Sequence, residues 1–308
     1  MSFSPPLRAR RAIPYLLSGL LLLTLTFYAR AQGNGRTAAR HFERVIIVVL
    51  ENQGIQSAMK DPYVQELTKQ AAWFASYEAI THPSFPNYLA LVAGTTFGIE
   101  HDHVDHPLEG PNIADRLEER GLTWKSYAED YPGNCFLHHG AGEARLTPKG
   151  PPTELYALKH VPLLAFANIQ GNKKRCAKVV SDREFWRDVN AGRLPHYAFY
   201  TPNTFNDGHD TSLGYSTNWL RGFIDRLKAS SDLRGTLIVV TWDEGGPGDH
   251  GGNQVLTMLL GPVINPGRYN DDVTHYSLLR SIENNFGLEP MHAGDREAKS
   301  LPDKVWRH

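Results

Sequence analysis

Cysteine is scarce in this 308-residue sequence, which holds only Cys135 and Cys176. One disulfide is the most they can form, and their spacing lacks the paired ligands, about two to four residues apart, of a structural zinc site. A net positive charge is also missing, because 32 basic side chains face 33 acidic ones. Without a basic excess or stripe, nucleic acid is not an expected partner. No apolar run reaches the roughly 20 residues of a spanning helix; the longest lies within 13–29 and is interrupted by Pro14, Ser18 and Gly19. There is no internal repeat and no long low-complexity tract. What is present is an ordinary globular share of hydrophobic residues, 41%, which excludes wholesale disorder.

The first 31 residues read as an address. Arg8, Arg10 and Arg11 precede the apolar stretch, and Ala29-Arg30-Ala31 supplies the small-x-small pattern of a signal-peptidase site. Retention as a membrane anchor is the competing reading, disfavoured by the short apolar run. Cleavage would leave 32–308 as a single large α/β domain, exported to the periplasm or beyond, with no stable membrane insertion. In an oxidising compartment Cys135 and Cys176 are expected to pair; the alternative is two buried thiols.

Strand and helix patterns alternate along that domain. Residues 44–50 (RVIIVVL) form a continuous apolar run, as in a strand buried on both faces. Residues 123–128, 196–201, 236–242 and 255–260 read as further strands. Helices are expected over 61–77, over 84–93 with Gly94 as its stop, over 111–120 before Gly121, over 213–229, and over 274–286 before Gly287. The stretch 129–182 reads as an irregular insertion carrying both cysteines. The order implies a mainly parallel central sheet with helices on both faces.

Polar clusters fall at the carboxyl ends of the apolar strands, where open α/β sheets bind ligands. Glu51-Asn52 follows the first strand and Asp243-Glu244 follows 236–242. Each could be an ordinary polar turn. Together they point to a shared divalent cation, since like charges held close raise one another's pKa unless a cation intervenes. Ser84 opens a helix. It is either a simple N-cap or a hydroxyl placed where the helix N-terminus favours a phosphoryl group and a nearby cation can activate it. His209 and His250 lie in Gly-rich loops after strands and can donate to phosphate oxygens or protonate a leaving group. Asn87, His209 and His275 form the candidate substrate-binding set. The segment His101-Asp102-His103-Val104-Asp105-His106 is either a solvated loop or a second metal site.

In this order, VVLENQG (48–54), THPSFPNYLALVAG (81–94), YTPNTFNDGHD (200–210), TWDEGG with the following DHGG (241–252) and THYSLLRSIENNFGL (274–288) resemble the bacterial phosphoesterase family of acid phosphatases and phospholipases C. That family lies within the alkaline-phosphatase superfamily. The resemblance implies an alkaline-phosphatase-like fold, a metal held by Glu51, Asn52, Asp243 and Glu244 with Ser84 in contact, and Ser84 as nucleophile. His209 matches a family histidine near the phosphate. The implied activity is hydrolysis of a small phosphorylated substrate through a phosphoserine. A phospholipase C-like phosphodiesterase and a non-catalytic exported metal- or phosphate-binding protein are the alternatives.

Overall fold

A computed structural model of the chain describes residues 1–3, 40–137, 155–230, 233–246 and 252–307. The signal-like segment, apart from residues 1–3, and His250 lie outside these. The chain divides into two units, Met1–Thr37 and Ala38–His308; the described strands and helices all belong to the second.

Eight strands make one sheet: β1 (Arg44–Leu50), β2 (Ala72–Glu78), β3 (Trp124–Ala128), β4 (Val179–Ser181), β5 (Tyr197–Thr201), β6 (Thr236–Trp242), β7 (Thr257–Leu260) and β8 (Gly267–Thr274). Their spatial order is β4-β3-β5-β1-β6-β7-β2-β8. All pairings are parallel except those of β7, which runs against both β6 and β2. β1, β5 and β6 are buried along essentially their whole length, so helices and loops cover both faces of the sheet, as continuous apolar strands require.

The register of the central strands positions the chemistry. β1 and β6 are parallel neighbours in which Leu50 stands opposite Trp242. Both strands therefore end level, and Glu51 and Asp243 emerge side by side, tied by the Asp243 N–H donating to the Leu50 carbonyl at 3.0 Å. β5 flanks β1 on the other side. The chain beyond it returns to β1, where the Glu51 N–H donates to the Asp207 carbonyl at 3.0 Å.

Two expectations fail here. The expected helix 61–77 ends after Pro62–Thr68, and the remainder is β2. The Asp61 carboxylate caps that shorter helix through the N–H groups of Tyr63 and Val64. The alternating burial of AWFASYE, paired with β7 and β8, then overrides a local sequence that favours helix. The irregular stretch 129–182 also holds ordered pieces: the 3-10 turns Leu158–His160 and Pro162–Ala165, the short helices Ala167–Gln170 and Lys173–Cys176, and β4. A disulfide joins Cys135 to Cys176 across this stretch, with their Cα atoms 5.6 Å apart.

Candidate active site

The Ser84–Ala93 helix is buried at every residue, which fits its position between the His275–Phe286 helix and the Leu158–His160 turn. Pro83, not Ser84, is its N-cap, and no side chain caps it. The Ser84 hydroxyl is free for other work. It donates to Glu51 Oε2 at 3.0 Å, with Glu244 Oε1 at 3.4 Å as its alternative acceptor. The two acidic strand ends thus converge on one serine.

Asn87 and Asn253 fix the loop that delivers this serine. The Asn87 side chain accepts from the N–H groups of Ile80 and Thr81 at 2.9 and 3.0 Å and donates to the carbonyls of Thr81 and Pro83. Asn253 donates to the same Thr81 carbonyl and accepts the Gly245 N–H, both at 2.8 Å. Every polar atom of Asn87 is engaged with backbone, so it shapes the loop instead of meeting a substrate. His275 departs from its expected role in the same way. It is buried, with Nδ1 3.0 Å from the Tyr77 hydroxyl and Nε2 2.7 Å from the Asp243 carbonyl. Burial lowers its pKa to about 4, so it is a neutral support behind Asp243.

Glu51, Asp207, Asp243 and Glu244 are all buried. Burial is the largest cause raising each pKa, and repulsion from neighbouring acids adds to it at Glu51, Asp207 and Glu244. Glu51 and Asp207 are held well above the usual carboxylate range. Asp243 is raised to about 6, the Asn52 N–H and the Ser84 hydroxyl counteracting burial. Glu244 rises to about 8, with Asp243 and Asp102 as its charged neighbours. Asn52 sits at φ 56°, a left-handed conformation that Asn tolerates. This turns its N–H onto Asp243 Oδ1 at 3.1 Å and its amide toward Glu51 Oε2 at 3.3 Å.

Two basic side chains, His160 and Lys159, lie against these acids, and neither was singled out in the sequence. His160 stacks on the Tyr88 ring at 5.0 Å. Its Nε2 lies 3.1 Å from Glu51 Oε1 and its Nδ1 3.2 Å from Asp207 Oδ2. Tyr88 donates to Glu51 Oε1 at 2.6 Å. Lys159 Nζ lies 3.1 Å from Asp102 Oδ2 and 3.4 Å from His209 Nε2. Burial alone would lower the Lys159 pKa, but Glu51 and Asp102 outweigh it and raise it above its ordinary value. His209 is one-third exposed, with Nδ1 2.8 Å from Asp210 Oδ1. His82, more exposed, sets its Nδ1 2.7 Å from Glu244 Oε2.

Asp243 Oδ2 is buried without a hydrogen-bond donor among the described residues, a costly state unless an ion meets it. Carboxylate, amide and hydroxyl oxygens of Glu51, Asn52, Ser84, Asp243 and Glu244 make a hard, oxygen-rich donor set that suits such an ion. Glu51, His160 and Asp207 also bring one ligand atom each within 4.8 Å of one another, a candidate metal triad that shares Glu51. Among the described residues no such group forms in the His101–His106 segment, counter to the second-metal reading. There His101 stacks on His103, while Asp102 turns inward to accept the Phe85 N–H at 3.1 Å.

The sequence profile of the phosphoesterase family matches residues 56–289, a span that includes Ser84, His160, Asp207, Asp243 and Glu244. The chain belongs to the phosphoesterase family. This phosphoesterase is 34% identical to a probable acid phosphatase of Kluyveromyces lactis, over 84% of this chain and 62% of that protein. It is 32% identical to an acid phosphatase of Aspergillus fumigatus, over 84% of this chain and 58% of that protein. The chain thus spans about three-fifths of the length of these fungal relatives. Against a phosphatidylinositol-3-phosphatase of Mycobacterium tuberculosis the identity is 32%, over 92% of this chain and 91% of that protein. Among solved structures, an alkaline phosphatase superfamily protein from Vibrio parahaemolyticus aligns with a TM-score of 0.55 at 15% identity, over 82% of this chain and 68% of that one. A phosphonate monoester hydrolase of Agrobacterium radiobacter aligns at 0.54 and 12%, over 85% and 77%. The phosphoesterase therefore has the alkaline-phosphatase type of α/β fold.

Proposed function

We propose that this phosphoesterase is an exported, metal-dependent phosphomonoesterase that works through a phosphoserine at Ser84. The observation that carries the reading is the Ser84 hydroxyl, buried at a helix start yet turned away from capping and onto Glu51 and Glu244. The acid phosphatase relatives support the substrate class. The N-terminal basic and apolar pattern and the Cys135–Cys176 disulfide support export.

In this reading Glu51, Asn52, Asp243 and Glu244, with Ser84, hold one divalent cation, which when bound lowers the pKa of the Ser84 hydroxyl and offsets phosphoryl charge. Glu51 or Glu244 takes the Ser84 proton. The Oγ–P bond forms as the ester P–O bond breaks, and the alcohol leaves. Water then adds to phosphorus, the Oγ–P bond breaks, and inorganic phosphate departs with Ser84 restored. Lys159 supplies fixed positive charge for the phosphoryl oxygens, the largest kind of stabilisation available to such a transfer. His209, with Nε2 beside Lys159, and His82, held by Glu244, are the imidazoles able to return a proton to the leaving oxygen.

The test is Ser84→Ala in the metal-loaded protein, assayed with an aryl monoester and a choline phospholipid side by side. Turnover should fall at least about a thousandfold while thermal stability and metal content hold. Full activity would remove Ser84 from the chemistry. Faster cleavage of the phospholipid by wild type would replace the monoesterase reading with the diesterase.

A further inference from the structure

Beside the site lies a cavity of about 370 Å³ that the phosphoryl chemistry does not use. It shares Phe85, Asp102 and Lys159 with the site, so it opens from the residue next to the serine. Its floor is apolar, formed by Phe85, Val104, Leu158 and Leu164. The His101–His106 segment supplies one wall, with His103, Asp105 and His106 at the exposed rim. Asp102 builds this wall. One of its oxygens accepts the Phe85 N–H and the other meets Lys159, which pins the segment to both the nucleophile helix and the phosphate-side cation.

Resting on the phosphomonoesterase reading, we infer that this cavity is the leaving-group pocket and that it selects monoesters of neutral, apolar alcohols. The apolar floor gains from burying an alkyl or aryl group. Of the polar side chains in the lining, Asp102 and Lys159 pair with each other, Gln170 donates to the Leu164 carbonyl, and His103, Asp105 and His106 stay at the rim, so sugar hydroxyls would enter the floor at a cost. The lining thus disfavours sugar phosphates, and it gives the otherwise unassigned His/Asp segment a specificity role.

Binding of hexylphosphonate and methylphosphonate to the metal-loaded protein, measured by calorimetry, tests the pocket without needing turnover. The pocket requires hexylphosphonate to bind at least about tenfold more tightly, because its extra methylenes are buried. Val104→Asn, which makes the floor polar without adding charge, and Val104→Trp, which fills it, should each erase that preference while leaving the affinity for inorganic phosphate unchanged. Equal affinities in wild type, or a preference that survives both substitutions, would overturn the inference. Hydrolysis of hexyl phosphate and glycerol 3-phosphate, whose leaving alcohols are alike, reports separately on the reading beneath it. Binding preference without turnover of either would sink the phosphatase and spare the pocket.

Discussion

Glu51, Asp207, Asp243 and Glu244 at the ends of the central strands, and Glu283 with Asp295 near the end of the chain, are all carboxylates withdrawn from water. The first group faces Lys159, the His160 imidazole and a serine hydroxyl, and holds a carboxylate oxygen with no hydrogen-bond donor among the described residues. The second is spent on partners within the fold. Burial and a hydrogen bond to Asp295 raise the Glu283 pKa to about 9. Asp295 in turn accepts the N–H groups of Met291 and His292 at 2.6 and 2.8 Å. It also packs so closely on Gly94, at the end of the Ser84–Ala93 helix, that a Cβ there would sit 2.3 Å from its Cγ. One group is built to receive charge from outside, the other to hold a helix end. Buried acid alone does not mark a site; what faces it does.

The largest effect should come from Asp243→Asn. If the site group needs an ion, this change removes metal and activity together, read by elemental analysis and turnover. Loss of metal in a His160 variant instead, with Asp243→Asn still loaded, would move the ion to the Glu51–His160–Asp207 triad. His160→Ala should cost about 3–5 kcal/mol in chemical denaturation, because it removes the imidazole that stands between two buried acids. A value near zero would mean that the acids hold their own protons, as Glu283 does.

At the second group, Gly94→Ala should cost at least about 1 kcal/mol, since the position has φ 70° and the added carbon strikes Asp295. The last test reads a change of slope with pH. The folded-state pKa of Glu283, raised from 4.5 to about 9, means that the folded form binds the proton more tightly. The stability this provides is complete below about pH 4.5 and is lost as pH rises towards 9. Glu283→Gln should therefore match wild type near pH 5 and melt higher than it at pH 8–9 in the metal-loaded protein. Parallel melting curves across that range would show that Glu283 is ionised throughout.

What could be read from the sequence tracks how local its cause is. Glu51, Ser84 and Asp243 were legible because each directly follows or opens a strongly patterned element, and β1 and β6 announce themselves by unbroken apolar runs. β2 was not, because its strand state comes from pairing with β7 and β8 and not from AWFASYE itself. β8 was missed because an edge strand, polar and half-exposed, has little pattern to show. His160 lies in a 3-10 turn with no periodicity, and its meaning arises only when Glu51 and Asp207 arrive from other segments. Asp207 was in view within NDGHD, but nothing local sets its buried carboxylate apart from Asp210 beside it.

The Cys135–Cys176 link encloses both side chains that bring positive charge to the site, Lys159 and His160. Closing a loop over a sequence separation of 41 removes roughly 4 kcal/mol of unfolded-chain freedom in the loop-entropy account. The tie therefore keeps the segment that carries Lys159 and His160 in a closed loop even in the unfolded chain, so part of what holds those two side chains against the acids is covalent.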